Sequence, residues 1–137
     1  MKQADFEARH GQNRIVCGGR MALHKGVGAG PVESAAPTGA WYFWWHCDGC
    51  NDQHCVIVQA DDLPVVPTGH GSTTRWTFDG NFEAPTFSPS LLHHASNHNP
   101  TCHVYIKGGR VEYLSDCGHQ LAGRTVPPGP LPEWLTR

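Results

Sequence analysis

The sequence is poor in charge and contains no long apolar run. Charged residues make up 16% of the chain, against a typical value of about 25%. Lys and Arg are scattered and form no stripe, which argues against a nucleic acid as a partner. No apolar stretch is long enough to span a membrane, and the first seven residues lack the apolar core of a secretory signal. We therefore expect a cytoplasmic protein with neither nucleic acid nor membrane as a partner.

Long helices are not expected either. Sixteen glycines and eleven prolines make up about a fifth of the 137 residues, against an average of roughly 12%. This composition favours short strands and turns, and the length suits a single core. We predict a mostly β fold, namely a small antiparallel β domain of hairpins stapled by a structural zinc, with few or no helices.

The chain is predicted to divide at residue 39. Residues 1–39 are expected to form a flexible or peripheral segment, because 26–31 and 34–39 are rich in small residues without a period. Residues 40–137 are expected to form the zinc-binding β domain. Its first strand is predicted at the aromatic run 41–45, and further strands are predicted at 55–58 and 75–78.

The clearest predicted element is a hairpin at residues 102–115. Two alternating stretches flank Gly108-Gly109, a pair that suits a type I′ turn. Pairing Lys107 with Arg110 sets the register and divides the hairpin into two faces. The first face carries Cys102, Val104, Ile106, Val111 and Tyr113, and the second carries His103, Tyr105, Glu112 and Asp116.

A Cys-x-x-Cys knuckle predicts the metal site. Cys47 and Cys50 are spaced so that both thiolates can bind one ion while backbone amides point at the sulfurs. His54 and Cys102 are predicted to complete a closed site of the structural type, with one Zn²⁺ per chain. The alternatives are a pair of ordinary buried thiols or a redox pair, but a redox pair is expected at a helix start in a βαβ unit, which is not visible here. Other candidate ligands stay open: His46, Cys55, Cys117 and His119.

Segment 85–92 is a candidate for holding a nucleophile. Pro85 and Pro89 restrict the backbone around hydroxyl side chains and do not fit a central strand, so a rigid, irregular loop is predicted. His103 should project away from Cys102, and Asp116 lies diagonally across the hairpin within side-chain reach. A serine, a histidine and a carboxylate form the usual layout for acyl transfer. The alternative is that His103 and Asp116 are polar residues on the solvated face of the hairpin.

The segments 76–81, 84–91, 102–103, 116–119 and 121–123 form a longer pattern. Together they resemble a family of small phage and prophage zinc-binding proteins, often labelled "ammonia monooxygenase". More distantly, the chain is similar to the zinc-binding peptidases of bacterial ubiquitin-like operons (domain of unknown function 6527). The shared features are a cysteine knuckle, an Asp-Gly turn at 79–80, Pro-Ser-Leu at 89–91 and Cys102-His103. The resemblance covers about residues 41–123. It implies Ser90 as the nucleophile, His103 as the base and Cys102 as a zinc ligand.

The leading hypothesis is a zinc-stapled serine hydrolase that uses Ser90, His103 and Asp116. It would be a peptidase whose partner is a protein substrate, either an extended peptide or a ubiquitin-like tail. One alternative is a metal-dependent hydrolase in which His103, Asp116 and His119 hold a catalytic zinc. The other is a non-enzymatic zinc-stabilised adaptor, which the aromatic run and the proline-rich tail would suit.

Overall fold

A computed structural model describes residues 1–12, 14–26 and 36–136. These residues form two antiparallel sheets and a single short α-helix, so the mostly β prediction is confirmed. Over the same ranges, no helix has the length and hydropathy that a membrane crossing requires. In chain order the elements are α1 (Gln3–Gln12), β1 (Ile15–Val16), β2 (Met21–Lys25), β3 (Ala40–Cys47), β4 (Asp52–Gln59), β5 (Thr77–Phe78), β6 (Phe87–His93), β7 (Cys102–Lys107), β8 (Arg110–Tyr113) and β9 (Thr125–Val126).

The first sheet has the strand order β1-β2-β3-β4. Its longest pairing joins β3 and β4 in register from Ala40 and Gln59 to Cys47 and Asp52. Alternate side chains of β3 are buried, which is the period expected of a strand with one face in a core. The turn that closes this pair carries the Cys47–Cys50 knuckle.

The second sheet has the order β5-β6-β7-β8-β9. Its β7–β8 hairpin has the predicted register, with Lys107 opposite Arg110. Gly108 and Gly109 both have positive φ, as a type I′ turn requires. The predicted division into faces is also confirmed, because its first face is buried throughout: Cys102, Val104, Ile106, Val111 and Tyr113.

Aromatic side chains join the two sheets. The ring of Phe43 on β3 lies 5.0 Å from that of Phe78 and 4.9 Å from that of Phe87, both in the second sheet. Phe43 is fully buried and Phe87 nearly so. Aromatic residues bury large areas, so this cluster is a major source of the attraction between the sheets.

Residues 1–39 contribute two strands to the first sheet and the helix α1. Strand β2 pairs with β3, for example Leu23 with Phe43. From α1, Phe6 is fully buried and stacks on Trp41 at 4.8 Å. The sequence did not predict this helix or these strands. Of the predicted linker stretches, residues 27–35 lie outside the described residues.

The prediction of an irregular loop at 85–92 is wrong, because Phe87–His93 forms β6, between β5 and β7. The strand is interrupted by a bulge. Phe87 pairs with Ile106 and Leu91 with Val104, so β6 contains two more residues than β7 between these two pairs. Pro89 is tolerated because the bulge takes it out of the hydrogen-bonded ladder.

Candidate catalytic and metal-binding sites

Four side chains converge at one point between the two sheets. They are Cys47, Cys50, Cys102 and His119, and their possible ligand atoms all lie within 4.8 Å of one another. The three thiols are buried, whereas His119 is partly exposed. The knuckle after β3 supplies two of them, the start of β7 the third and the turn after β8 the fourth. A metal ion held here would join the two sheets.

The distances suit a tetrahedral ion. Sulfurs bound to zinc at tetrahedral corners lie about 3.8 Å apart, and a sulfur and an imidazole nitrogen about 3.5 Å apart. The Cys47 and Cys102 sulfurs are 4.0 Å apart, and His119 Nε2 lies 3.5 Å from Cys102 Sγ. The group can therefore hold a metal with little rearrangement of its ligand atoms.

Hydrogen bonds to the Cys47 sulfur favour its thiolate. The Cys102 thiol is the main cause of a lowered pKa at Cys47; the Tyr113 hydroxyl and the Cys50 backbone N–H, both at 3.3 Å, add to it. The hydrogen bond to Cys47 and burial raise the pKa of Cys102, while burial and the Cys47 charge raise that of Cys50. The Cys47 thiolate is thus favoured without a metal. Deprotonation of Cys50 and Cys102 as well would require a nearby cation to balance the negative charge of three thiolates.

The ring of His119 is held against the knuckle. A Cβ built on Gly49 would lie 2.3 Å from atoms of this ring, so only glycine leaves room for it. The Leu121 N–H approaches His119 Nδ1 at 3.2 Å. Metal binding through Nε2 would move the ring proton to Nδ1, so the Leu121 contact would have to open.

The predicted ligand His54 is not in the four-residue group. It lies opposite Trp45 on β4, is 5% exposed and stacks on His93 at 4.3 Å. It still helps to lower the pKa of Cys47, although its Nε2 is buried without a hydrogen-bond partner among the described residues. The fourth member of the group is His119, which the sequence offered only as an alternative.

The remaining alternative ligands have other partners. The Cys117 thiol donates to the backbone oxygen of His103 at 3.2 Å. Cys55 pairs with Trp44, and burial raises the pKa of its thiol to about 12. His46 Nδ1 lies 2.7 Å from Gln53 Nε2.

A second constellation lies on the opposite face of β7. Ser90 Oγ is 3.0 Å from His103 Nε2, and His103 Nδ1 is 3.0 Å from Asp116 Oδ2. The structure thus brings together the three residues of the predicted catalytic group. The His103 side chain is 24% exposed and that of Asp116 59% exposed, so the group is open to solvent.

Two features of the backbone position this group. The bulge in β6 carries Ser90 beside β7. Both backbone groups of His103 are hydrogen-bonded. Its N–H points at Cys117 Sγ at 3.3 Å, and its carbonyl accepts from Leu114 N–H at 2.9 Å. Its chain neighbour Cys102 belongs to the cluster of three thiols and His119. The backbone that carries His103 is therefore also held by the contacts of Cys102 on the buried face of β7.

A hydroxyl in contact with an imidazole that in turn contacts a carboxylate is the arrangement that serine hydrolases use. A model of the family of bacterial ubiquitination-like system serine proteases (BubE) matches residues 22–114, about two thirds of the chain. The chain belongs to this family. The match includes Ser90, His103, the knuckle and Cys102, and it ends just before Asp116. No curated protein and no solved structure matches the chain.

Family membership agrees with the predicted similarity to the peptidases of bacterial ubiquitin-like operons. The resemblance to phage and prophage proteins and the assignment to domain of unknown function 6527 stay predictions. His119 lies outside the matched residues, so the family match does not point to it. Two features of the sequence could have done so: its position two residues after Cys117, and the glycine at position 49, which leaves room for its ring.

Proposed function

We propose that this protein is a serine peptidase in which Ser90 is the nucleophile, His103 the general base and Asp116 the residue that orients the imidazole. The observation that carries the proposal is the unbroken line of contacts from Ser90 Oγ through both nitrogens of His103 to Asp116, each of 3.0 Å. Membership of a serine protease family supports the same reaction class.

The proposed reaction follows from these contacts. His103 Nε2 accepts the proton of Ser90 as Oγ attacks the scissile carbonyl, and it then donates that proton to the leaving amine. Breaking the peptide bond leaves the acyl group on Ser90 Oγ. Water then attacks this ester while His103 accepts its proton, and the proton passes to Ser90 Oγ as the ester bond breaks and the acid is released. Asp116 accepts the hydrogen bond of Nδ1–H, which holds the tautomer and stabilises the imidazolium. Because Asp116 is 59% exposed, water weakens this last contribution.

The proposed substrate is an extended stretch of polypeptide, such as the tail of a ubiquitin-like protein. The family description points to a protein substrate. The position of the site supports an extended one, because Ser90 and His103 lie on the open face of a sheet. A flat surface of this kind suits a chain that lies across it more than a small molecule that needs enclosure.

We propose a structural zinc in the group of Cys47, Cys50, Cys102 and His119. Three thiolates and one imidazole make a closed site without a position for substrate. Cys102 and His103 point to opposite faces of β7, so the ion would act on folding and not on the peptide bond. The role we propose for it is to hold the two sheets together.

The metal-dependent alternative has less support. It needs His103, Asp116 and His119 around one ion, but His119 Nε2 faces Cys102 while His103 faces Ser90 and Asp116. Among the residues that the structure describes, the one cluster of three or more potential metal ligands is that of Cys47, Cys50, Cys102 and His119. The adaptor alternative predicts an unreactive serine, so serine reactivity separates it from the peptidase.

Diisopropyl fluorophosphate tests the proposal. Attack by Ser90 Oγ forms an O–P bond, breaks the P–F bond and releases fluoride, while the serine proton leaves through His103. We expect one adduct per chain by mass spectrometry, and none in Ser90→Ala or His103→Ala. Ser88→Ala is the matched control, because this exposed serine lies in the same bulge and should leave labelling unchanged. Labelling that survives Ser90→Ala would contradict the proposal.

A further inference from the structure

One edge of β6 is open beside the nucleophile. On the side away from β7, β5 pairs only with Phe87 and Ser88. Beyond that point, from Ser90 to His93, no strand formed by residues 1–12, 14–26 or 36–136 pairs with β6 on this side. An unpaired strand edge is a template for another strand.

The backbone of Leu92 points toward this open edge. In the register of β6 and β7, Leu92 is opposite His103. Both backbone groups of His103 are directed to the β8 side, its N–H to Cys117 and its carbonyl to Leu114. Leu92 and His103 are therefore a non-hydrogen-bonded pair, and the N–H and C=O of Leu92 face away from β7.

The residues before Leu92 agree with this direction. The carbonyl of Ser88 accepts from Thr77 Oγ1 at 3.2 Å, and that of Ser90 accepts from the Trp76 indole N–H at 3.4 Å. Both donors lie on the β5 side. Positions 88, 90 and 92 thus present their backbone groups to the same edge, and position 92 is the one beyond the end of β5.

The side chain of Leu92 lies on the same face as the proposed catalytic group. Residues opposite each other in a sheet project to the same face, so Leu92 shares the face of His103. It is 43% exposed, which makes it one of the few large apolar side chains left open to solvent among the described residues. An apolar surface and an unpaired backbone segment therefore meet within two residues of Ser90.

Resting on the proposed peptidase function, we propose that the substrate binds by strand addition to the open edge of β6. Its backbone pairs with the N–H and C=O of Leu92, and an apolar substrate side chain packs on the Leu92 side chain. Ser90 then lies between the base on β7 and the substrate on the open edge. Main-chain pairing supplies affinity and the Leu92 contact supplies side-chain preference.

A peptidyl probe tests the pairing. We would use acetyl-tetra-alanyl diphenyl phosphonate and a series of its analogues, each with one backbone amide methylated. Ser90 Oγ forms a bond to phosphorus, the bond to one phenoxide breaks, and the serine proton leaves with it as phenol. Because alternate amides of an added strand face the edge, methylation should slow labelling about tenfold at one amide and little at its chain neighbours.

Two substitutions of Leu92 test the protein side. Leu92→Pro removes the edge-facing N–H without removing a bond to β7, whereas Leu92→Ala removes only the apolar side chain. We expect labelling by the peptidyl probe to fall in both and to be about tenfold slower in Leu92→Pro than in Leu92→Ala. Thermal unfolding of both variants monitors the fold, and the methylation series on the native protein does not depend on either variant.

The outcomes separate this inference from the function on which it rests. If diisopropyl fluorophosphate labels Ser90 but methylation has the same effect at every amide, strand addition is overturned and the peptidase stands. Equal rates for Leu92→Pro and Leu92→Ala would also overturn it. If neither reagent labels Ser90, the proposed function itself fails.

Discussion

The two faces of β7 differ in their surroundings, although they share one backbone. Cys102 is 1% exposed and lies among other thiols, whereas the His103 side chain is 24% exposed and lies beside Ser90. The first face is suited to hold the fold and the second to carry out chemistry. The difference implies that substitutions on one face should affect stability and those on the other activity, even at adjacent residues.

The largest effect is expected from Cys102→Ser. The binding free energy of a structural zinc, about 10–16 kcal/mol, is comparable to the whole stability of a domain, about 5–15 kcal/mol. We expect native protein with close to one zinc per chain by elemental analysis, and an insoluble or unfolded variant. Cys55→Ser, which changes a thiol outside the group, is the control and should retain the metal. A soluble Cys102→Ser protein with unchanged melting would refute the bridging role.

The next effect is loss of activity without loss of stability. Ser90→Ala and His103→Ala should each lower kcat by a factor on the order of 10⁴ or more. The double variant should be no worse than either single one, because the two side chains act as a unit. Zinc content and Tm should stay near those of the native protein. A large drop in Tm for His103→Ala would mean that the two faces are not separable.

Asp116→Ala should have a smaller effect on the same face. The carboxylate orients His103 and forms no bond to substrate, and its exposure lets water compensate in part. We expect kcat to fall on the order of 10²-fold while KM changes little. Steady-state kinetics on a peptide substrate measures both. A loss as large as that of Ser90→Ala would assign Asp116 a more direct part in the reaction.

The hairpin could be predicted because its signals are local. Alternation fixes the two faces of β7 and β8, and Gly108-Gly109 fixes the turn and hence the register. From these alone, His103 and Asp116 were expected on the face opposite Cys102, and the structure has them in contact. Nothing beyond the hairpin was needed for that part of the site.

The parts that depend on contacts between distant segments could not be predicted in the same way. His119 approaches the knuckle only because the second sheet packs on the first, so local spacing favoured His54. Strand β2 pairs with β3, but the small-residue stretches that separate them in the sequence carry no hairpin signal from which this pairing could be predicted. Pro85, which precedes β6, and Pro89 within it argued against a strand, because a bulge cannot be recognised from residue types.

The smallest effect is expected from Gly49→Ala, which tests whether His119 on the buried side is a metal ligand. Gly49→Ala keeps every ligand but adds a methyl group that would lie 2.3 Å from the His119 ring. The ring must move, so one ligand is weakened while three thiolates remain. Changes of this kind next to a metal typically cost 10- to 100-fold in affinity. We expect faster zinc release to a chelator by about that factor, with the folded protein retained when zinc is in excess.

Gly11→Ala is the matched control for this substitution, because a Cβ at that position meets nothing within 4 Å. It should leave zinc release unchanged. With zinc in excess, Gly49→Ala should also keep near-native kcat, since the change acts on the buried face alone. Equal release rates for the native protein and Gly49→Ala would show that His119 does not bind the metal, and would favour His54, which helps to lower the pKa of Cys47, as the fourth ligand.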